Sequence, residues 1–218
     1  MSAKPFARPT VVVQQPESAD ASSGDGLAER HFTHMRSEDV ELARVEVDAL
    51  DGFLRGLLFT DGTVTRALEV ETLEPVSVDV VEQCAAALPA AAAGYLESSD
   101  GADCVRRRVR IATARCAAAV WAESYILPDR LPPGFRGSLE GAAHGIGGSI
   151  QQLMLESRRE LLWFGLGAAP AWAAAELAAT PAIVRQYRIV TEALPALLIA
   201  ESFAVEIRGG RYHLAETA

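Results

Sequence analysis

The chain has 218 residues and a mass of 23.2 kDa, and its 29 acidic residues outnumber its 20 basic residues, giving a formal net charge of −9. Half of the residues are hydrophobic and 22% are charged, so the chain can bury a core and is not wholly disordered. The acidic balance disfavours nucleic acid as a partner, because phosphate binding requires a basic surface.

The N-terminal third predicts a tail followed by two short helices. Residues 1–36 are rich in Ser, Asp, Gly and Ala, so we expect a disordered, mobile tail there. The pattern over 38–59 is helical, with Asp51 as a possible cap, and Asp61-Gly62 ends it. A second helix is expected to begin near Thr63 or Thr65 and to turn Leu68 and Val70 inward.

The remaining chain predicts mainly strands. Residues 76–80, 104–113, 117–127, 156–165, 183–190 and 196–206 have strand-like patterns, with a tight turn near 114–116. Small helices are expected at 136–140, after the glycines at 147–148 and at 169–179, whereas the Ala run at 85–93 is ambiguous because Pro89 interrupts it. About six mostly sequential strands, with four or five helices, predict an antiparallel sheet in an α+β fold.

Two charged residues fall on the apolar faces of predicted strands. On the strand 104–113, Arg107 alternates in phase with Val109 and Ile111, and on the last strand Glu201 shares a side with Ile199 and Phe203. An unpaired buried ion costs several kcal/mol. One interpretation is structural: the two residues form an ion pair, or they lie at strand ends near the surface. The other is an enclosed site, in which Arg107 binds a carboxylate and Glu201, with a pKa raised by apolar surroundings, transfers a proton.

Other candidate residues give weaker signals. The turn His144–Gly148 precedes a helix, so it either exposes backbone N–H groups to an anion or is a plain flexible turn. Arg159 and Glu160 either serve the site or form a surface pair. The histidines lack metal-ligand spacing, so no metal is expected. Three scattered cysteines, Cys84, Cys104 and Cys116, predict neither a disulfide framework nor a zinc cluster. No apolar run is long enough to span a bilayer. Together these features predict a soluble protein of the cytoplasm.

These features together resemble the chorismate pyruvate-lyase family over about 46–205. The resemblance begins with LLFTDG and the following Thr63–Glu69, and continues through Val76–Val78, Arg107, Ile146-Gly147 and Arg159-Glu160 to Glu201. It implies a six-stranded antiparallel sheet with helical flaps over a buried site. It also implies a cofactor-independent lyase that removes pyruvate from chorismate and leaves 4-hydroxybenzoate.

By the same resemblance, Arg107 would bind the ring carboxylate and Glu201 would assist proton transfer. The backbone N–H groups of Val64 and Ile146 would help to hold the ligand. The expected partner is thus a small-molecule carboxylate, with the protein a monomer or small homo-oligomer. The expected domain covers 37–206, followed by an extension at 207–218; the roles of Arg159, Arg185 and His144 stay open.

Two alternatives accompany the lyase prediction. Gly148 stands where the family's best-known branch has a basic residue, and the segment 167–182 is longer and Ala-rich, so an enzyme of the same fold, a cyclase or dehydratase with another substrate, is one alternative. The other is a non-catalytic small-molecule sensor. The first 36 residues are too short and too polar for the DNA-binding region that such a regulator carries.

Overall fold

A computed structural model describes residues 24–34, 42–114, 120–140, 145–173 and 180–215. The described helices are α1 (Gly24–His31), α2 (Gly52–Phe59), α3 (Val64–Thr72), α4 (Ala90–Tyr95), α5 (Phe135–Glu140) and α6 (Ile146–Gln152), with 3₁₀ turns at Val47–Ala49 and Pro128–Arg130. The described strands are β1 (Ser77–Ala87), β2 (Asp103–Ala112), β3 (Val120–Ile126), β4 (Arg158–Ala168), β5 (Pro181–Thr191), β6 (Leu194–Arg208) and β7 (Arg211–Leu214). No described helix is long and apolar enough to cross a membrane.

The strands form one antiparallel sheet in the order β1-β2-β3-β6-β5-β4, with β7 paired to β6. The predicted antiparallel α+β fold is therefore confirmed, with seven strands rather than about six. The seventh strand follows a two-residue turn at Gly209 and Gly210, whose φ angles of 55° and 78° suit glycine. It lies in the segment 207–218, which the sequence interpretation treated only as an extension.

The two faces of the sheet have different covers. The inner face, which includes Arg107, Val109, Ile199 and Glu201, lies under α2, α3, α5 and α6. Leu54, Leu57 and Leu58 of α2 and Leu68 of α3 pack there against the β2, β3 and β6 strands. The outer face, which includes Cys104, Trp163 and Leu198, packs against α4. Each strand thus alternates between these two environments.

The structure confirms the cap at Asp51 and corrects the helix around it. The Asp51 carboxylate accepts a hydrogen bond from the backbone N–H of Leu54 at 2.6 Å, and α2 begins at Gly52. The described residues before it, from 42 to 50, form only a 3₁₀ turn and extended chain, so the predicted helix over 38–59 is too long. In α3, Leu68 is buried as predicted, but Val70 is 70% exposed, because the inward row is Val64, Leu68 and Thr72.

Part of the predicted tail is folded. Residues 24–31 form α1, and Ala28 and Phe32 are buried. Phe32 bridges to Leu161 of β4, and the N–H of Thr33 donates to the Leu161 carbonyl at 3.0 Å. The tail prediction is therefore wrong for residues 24–34. The rest of the predicted tail, Cys116, His144 and most of the predicted helix over 169–179 lie outside the described residues.

The strand β1 contains a β-bulge. Val80 pairs with Val109 of β2, whereas Glu82 pairs with the preceding residue, Arg108, so Val81 is an extra residue in β1. Beyond the bulge Gln83 faces inward, opposite Arg107, and Glu82 faces outward. The ambiguous Ala run divides at Pro89, which precedes α4.

Candidate active site

A small cavity lies between the inner face of the sheet and the first turns of α3 and α6. It is lined by all four residues that the sequence interpretation assigned to the site, Arg107, Glu201, Val64 and Ile146. Apolar side chains from β2, β3 and β6 form its floor. Its volume is about 60 Å³, well below the roughly 300–1,000 Å³ of ligand pockets, so a ring-sized ligand can enter only when the covering helices move apart.

Arg107 brings an unneutralised cation to this cavity. Its side chain is 1% exposed. Nη1 donates to the carbonyl of Leu139 at 2.9 Å and to the side-chain carbonyl of Gln83, and Nη2 has no partner. Burial lowers the pKa of Arg107, and no described carboxylate pairs with it. A buried guanidinium with a free N–H edge is a suitable partner for a carboxylate that enters from outside.

Glu201 is buried in the same cavity but is not paired with Arg107. Its Oε2 accepts a hydrogen bond from Arg185 Nε at 2.7 Å, and its Oε1 accepts one from the Tyr187 hydroxyl at 3.0 Å. The alternative of a structural Arg107–Glu201 ion pair is therefore wrong. Burial, with the nearby carboxylate, raises the pKa of Tyr187, so this phenol stays protonated and keeps donating to Glu201.

Val64 and Ile146 are the first residues of α3 and α6, so their N–H groups have no acceptor within their own helices. The two helix starts close over the cavity at Gly147. A Cβ atom at this position would lie 2.3 Å from Cγ2 of Thr63. Glycine is therefore what allows α6 to approach α3 so closely.

Residues 58–210 match the family described as Chorismate pyruvate-lyase Rv2949c-like. The chain belongs to this family. It is also 30% identical, over 171 residues, to a protein of Mycobacterium leprae (strain TN) named Chorismate pyruvate-lyase, an alignment that covers 74% of this chain and 79% of the relative.

Solved structures share the fold of this chorismate pyruvate-lyase family member. The effector domain of PhnF from Mycobacterium smegmatis superposes with a TM-score of 0.53 at 14% identity, covering 66% of this chain and 90% of that domain. Full PhnF from the same organism gives a TM-score of 0.53 at 15% identity, covering 71% and 67%. At this identity the likeness concerns the fold alone.

Arg185 is a site residue that the sequence interpretation did not assign. It is completely buried in β5, and besides Glu201 it donates to the carbonyls of Leu57, Leu58 and Thr60 at the end of α2. Its guanidinium lies 5.0 Å from the centre of the Tyr187 ring. It therefore neutralises Glu201 and ties it to the segment that leads into α3. The alternation of Ile183, Arg185, Tyr187 and Ile189 is a partial signal for it, because Arg188 lies on the opposite face of the same strand.

The neighbours Arg159 and Glu160 have separate surroundings. Arg159 lines the cavity, donates to the backbone carbonyl of Asp61 and lies 5.4 Å from the centre of the Tyr187 ring. Glu160 instead pairs with Arg158 and Arg188 at 2.7 and 2.6 Å. Only the arginine of this pair thus faces the site.

The chemistry available in the cavity is that of guanidinium, carboxylate, hydroxyl and backbone amide groups. Among the described residues, no group of three or more His, Cys, Asp or Glu residues could hold a metal ion. Cys104 is buried on the outer face, and burial raises the pKa of its thiol, so it behaves as a small apolar residue.

Proposed function

We propose that this protein removes pyruvate from chorismate and leaves 4-hydroxybenzoate. The observation that carries the proposal is the buried Arg107, whose Nη2 has no partner, in the same closed cavity as Glu201. Membership of the chorismate pyruvate-lyase family supports the reaction class.

Arg107 binds the ring carboxylate in this proposal. Its Nη1 is held by Leu139 and Gln83, which fixes the plane of the guanidinium and directs the free Nη2 edge to the ligand. Gln83 is neutral, so it orients Arg107 without cancelling the charge. The low-dielectric surroundings strengthen the resulting ion pair, whose partner arrives with the substrate.

Chorismate carries a second carboxylate, on its enolpyruvyl group, and the proposal assigns it to the covering segments. Arg159 lines the cavity and pairs with no described carboxylate, while the N–H groups of Val64 and Ile146 lack intrahelical acceptors. Closure of α3 and α6 over the ligand would bring these donors to it and exclude water.

Glu201 assists the proton movement. In the reaction, the ether bond between the ring and the enolpyruvyl oxygen breaks, the ring carbon that bears the hydroxyl loses a proton, and the released enolate takes up a proton at its methylene carbon to become pyruvate. Aromatisation of the ring drives this elimination. Glu201 would lie near the ring hydroxyl or the breaking ether, held in one orientation by Arg185 and Tyr187, so catalysis rests on positioning and polarisation.

The test is to incubate the purified protein with chorismate and to measure pyruvate and 4-hydroxybenzoate in equal amounts. Arg107→Ala should lower kcat/KM by roughly 30- to 1,000-fold, as expected for a lost buried charge contact of about 2–4 kcal/mol. Glu201→Gln should lower kcat more than it raises KM. The matched control is Arg110→Ala, on the same strand but on the outer face, where Arg110 pairs with Asp79 at 2.7 Å; it should retain full activity.

A folded wild-type protein that leaves chorismate unchanged would contradict the proposal. Turnover of a different ring carboxylate would then favour the cyclase or dehydratase alternative. Tight binding of a carboxylate without chemical change would favour the sensor.

A further inference from the structure

A second cavity lies on the outer face of the sheet, on the opposite side from Arg107 and Glu201. Its volume is about 350 Å³, within the usual range for a small-molecule site. Four aromatic side chains line it: Trp121, Tyr125, Trp163 and Trp172. None of these residues belongs to the proposed active site.

Two polar atoms in this cavity are buried without a partner. They are Nε1 of Trp163, a residue 2% exposed, and Oε1 of Gln186. Trp163 of β4 and Gln186 of β5 are direct cross-strand partners, so the residues that carry the free donor and the free acceptor are neighbours on the outer face. A buried donor or acceptor without a partner destabilises the fold, and a ligand with a complementary acceptor and donor would satisfy both atoms at once.

The described lining of this cavity carries no unpaired charge. Among the described residues that line it, Glu123 alone is charged, and its carboxylate accepts a hydrogen bond from Arg108 Nε at 2.7 Å. The guanidinium of Arg108 also lies 5.5 Å from the centre of the Trp172 ring. Thus none of the described lining residues offers a free cation to an anion, and the one described lining carboxylate is already paired.

We propose that the outer-face cavity binds a neutral planar ring carrying a carboxamide or an equivalent adjacent acceptor and N–H donor. The ring packs among the Trp and Tyr side chains, where flat aromatic groups gain contact area and favourable ring geometry. The ligand carbonyl accepts from Trp163 Nε1–H, and its N–H donates to Gln186 Oε1. Aliphatic ligands fit the rings poorly, and carboxylates supply no donor for Gln186.

Benzamide is the probe, and the readout is the set of indole N–H signals in a ¹⁵N-labelled sample, with Trp163→Phe identifying the Trp163 signal. We expect a saturable shift of that signal. Toluene, which lacks the amide, and benzoate, which lacks the N–H donor, should bind at least about tenfold more weakly. Gln186→Met has a similar shape but lacks the acceptor, so it should lower the affinity for benzamide by a similar factor. This variant still tests the proposal if Trp163→Phe does not fold.

Arg107→Ala separates the two cavities, because it alters the inner cavity and should leave the affinity for benzamide unchanged. The proposal is overturned if millimolar benzamide produces no saturable shift, which would mean that water alone fills the cavity. Equal affinity for toluene, or no effect of Gln186→Met, would also overturn it. So would a shift that depends on protein concentration, since this would indicate a second copy of the chain covering the face.

Discussion

Replacing Arg185 with Met should destabilise the fold strongly. The change leaves Glu201, 5% exposed, as a buried carboxylate without its cation. Breaking a buried ion pair from one side costs about 3–5 kcal/mol. The carbonyls of Leu57, Leu58 and Thr60 also lose their shared donor. For a domain of this size, that loss corresponds to a decrease in Tm of roughly 6–20 °C.

A double-mutant cycle isolates the pair. Glu201→Gln in the Arg185→Met background removes the stranded charge, so the double variant should be more stable than Arg185→Met by about 1–3 kcal/mol. It should remain inactive, because the proposed acid–base group is gone. Urea denaturation of the four proteins gives the unfolding free energies. The control is Arg188→Met, on the same strand but facing outward with Glu160 and Glu97, which should cost clearly less.

Two results would refute this reasoning. One is an Arg185→Met variant no less stable than the Arg188→Met control. The other is a double variant whose destabilisation equals the sum of the two single changes, because additive effects would mean that Arg185 does not stabilise Glu201.

Three further changes test the cover, the acid stability and the α2 cap. Gly147→Ala places a methyl group 2.3 Å from Thr63 Cγ2, so it should hold α3 and α6 apart. The KM for chorismate, the proposed substrate, should rise with little loss of fold stability. The control is Gly56→Ala, which has nothing within 4 Å of the added Cβ and should leave KM unchanged. Burial opposes ionisation of Glu160, but hydrogen bonds from Arg158 and Arg188 outweigh it and hold the Glu160 pKa below its ordinary 4.5. Glu160→Gln should therefore lower the free energy of unfolding by its full amount above about pH 4.5, and this loss should vanish as the pH falls through the folded-state pKa of Glu160. If urea denaturation gave the same difference between the two proteins at every pH, the reasoning would be contradicted. Asp51→Ala should cost about 1 kcal/mol in denaturation experiments while Asp51→Asn costs less, since Asn still caps a helix.

The charged residues of the site differ in how far alternation along a strand could reveal them. Arg107 and Glu201 are conspicuous because their neighbours on the same side are apolar. On β5 the signal is weaker, since Arg185 shares its face with Tyr187 while Arg188 lies on the other face. Because one arginine lies on each face of β5, alternation alone does not decide which of the two arginines is buried. The carbonyls that complete the surroundings of Arg185 come from residues 125–128 positions away in the chain.

Long-range contacts also explain the other differences. The segment 24–34 has few apolar residues and looks like a tail, but its partner Leu161 lies 128 residues beyond Thr33. Ala28 and Phe32 are nevertheless buried, and both the backbone N–H and the hydroxyl of Thr33 donate to the Leu161 carbonyl. The contact between Gly147 and Thr63 likewise depends on how two distant helices meet.

The extra residue in β1 decides which side chain meets the buried arginine. In a regular strand, Glu82 would continue the row of Val78 and Val80 and would lie beside Arg107. The insertion of Val81 instead directs Glu82 to Arg106 and Arg108, at 2.6 and 2.8 Å, and places a neutral amide next to Arg107. A strand that kept Val81 but lost the bulge would therefore bring the protein's own carboxylate to the position that the proposal assigns to a ligand carboxylate, a form of self-inhibition that the bulge prevents.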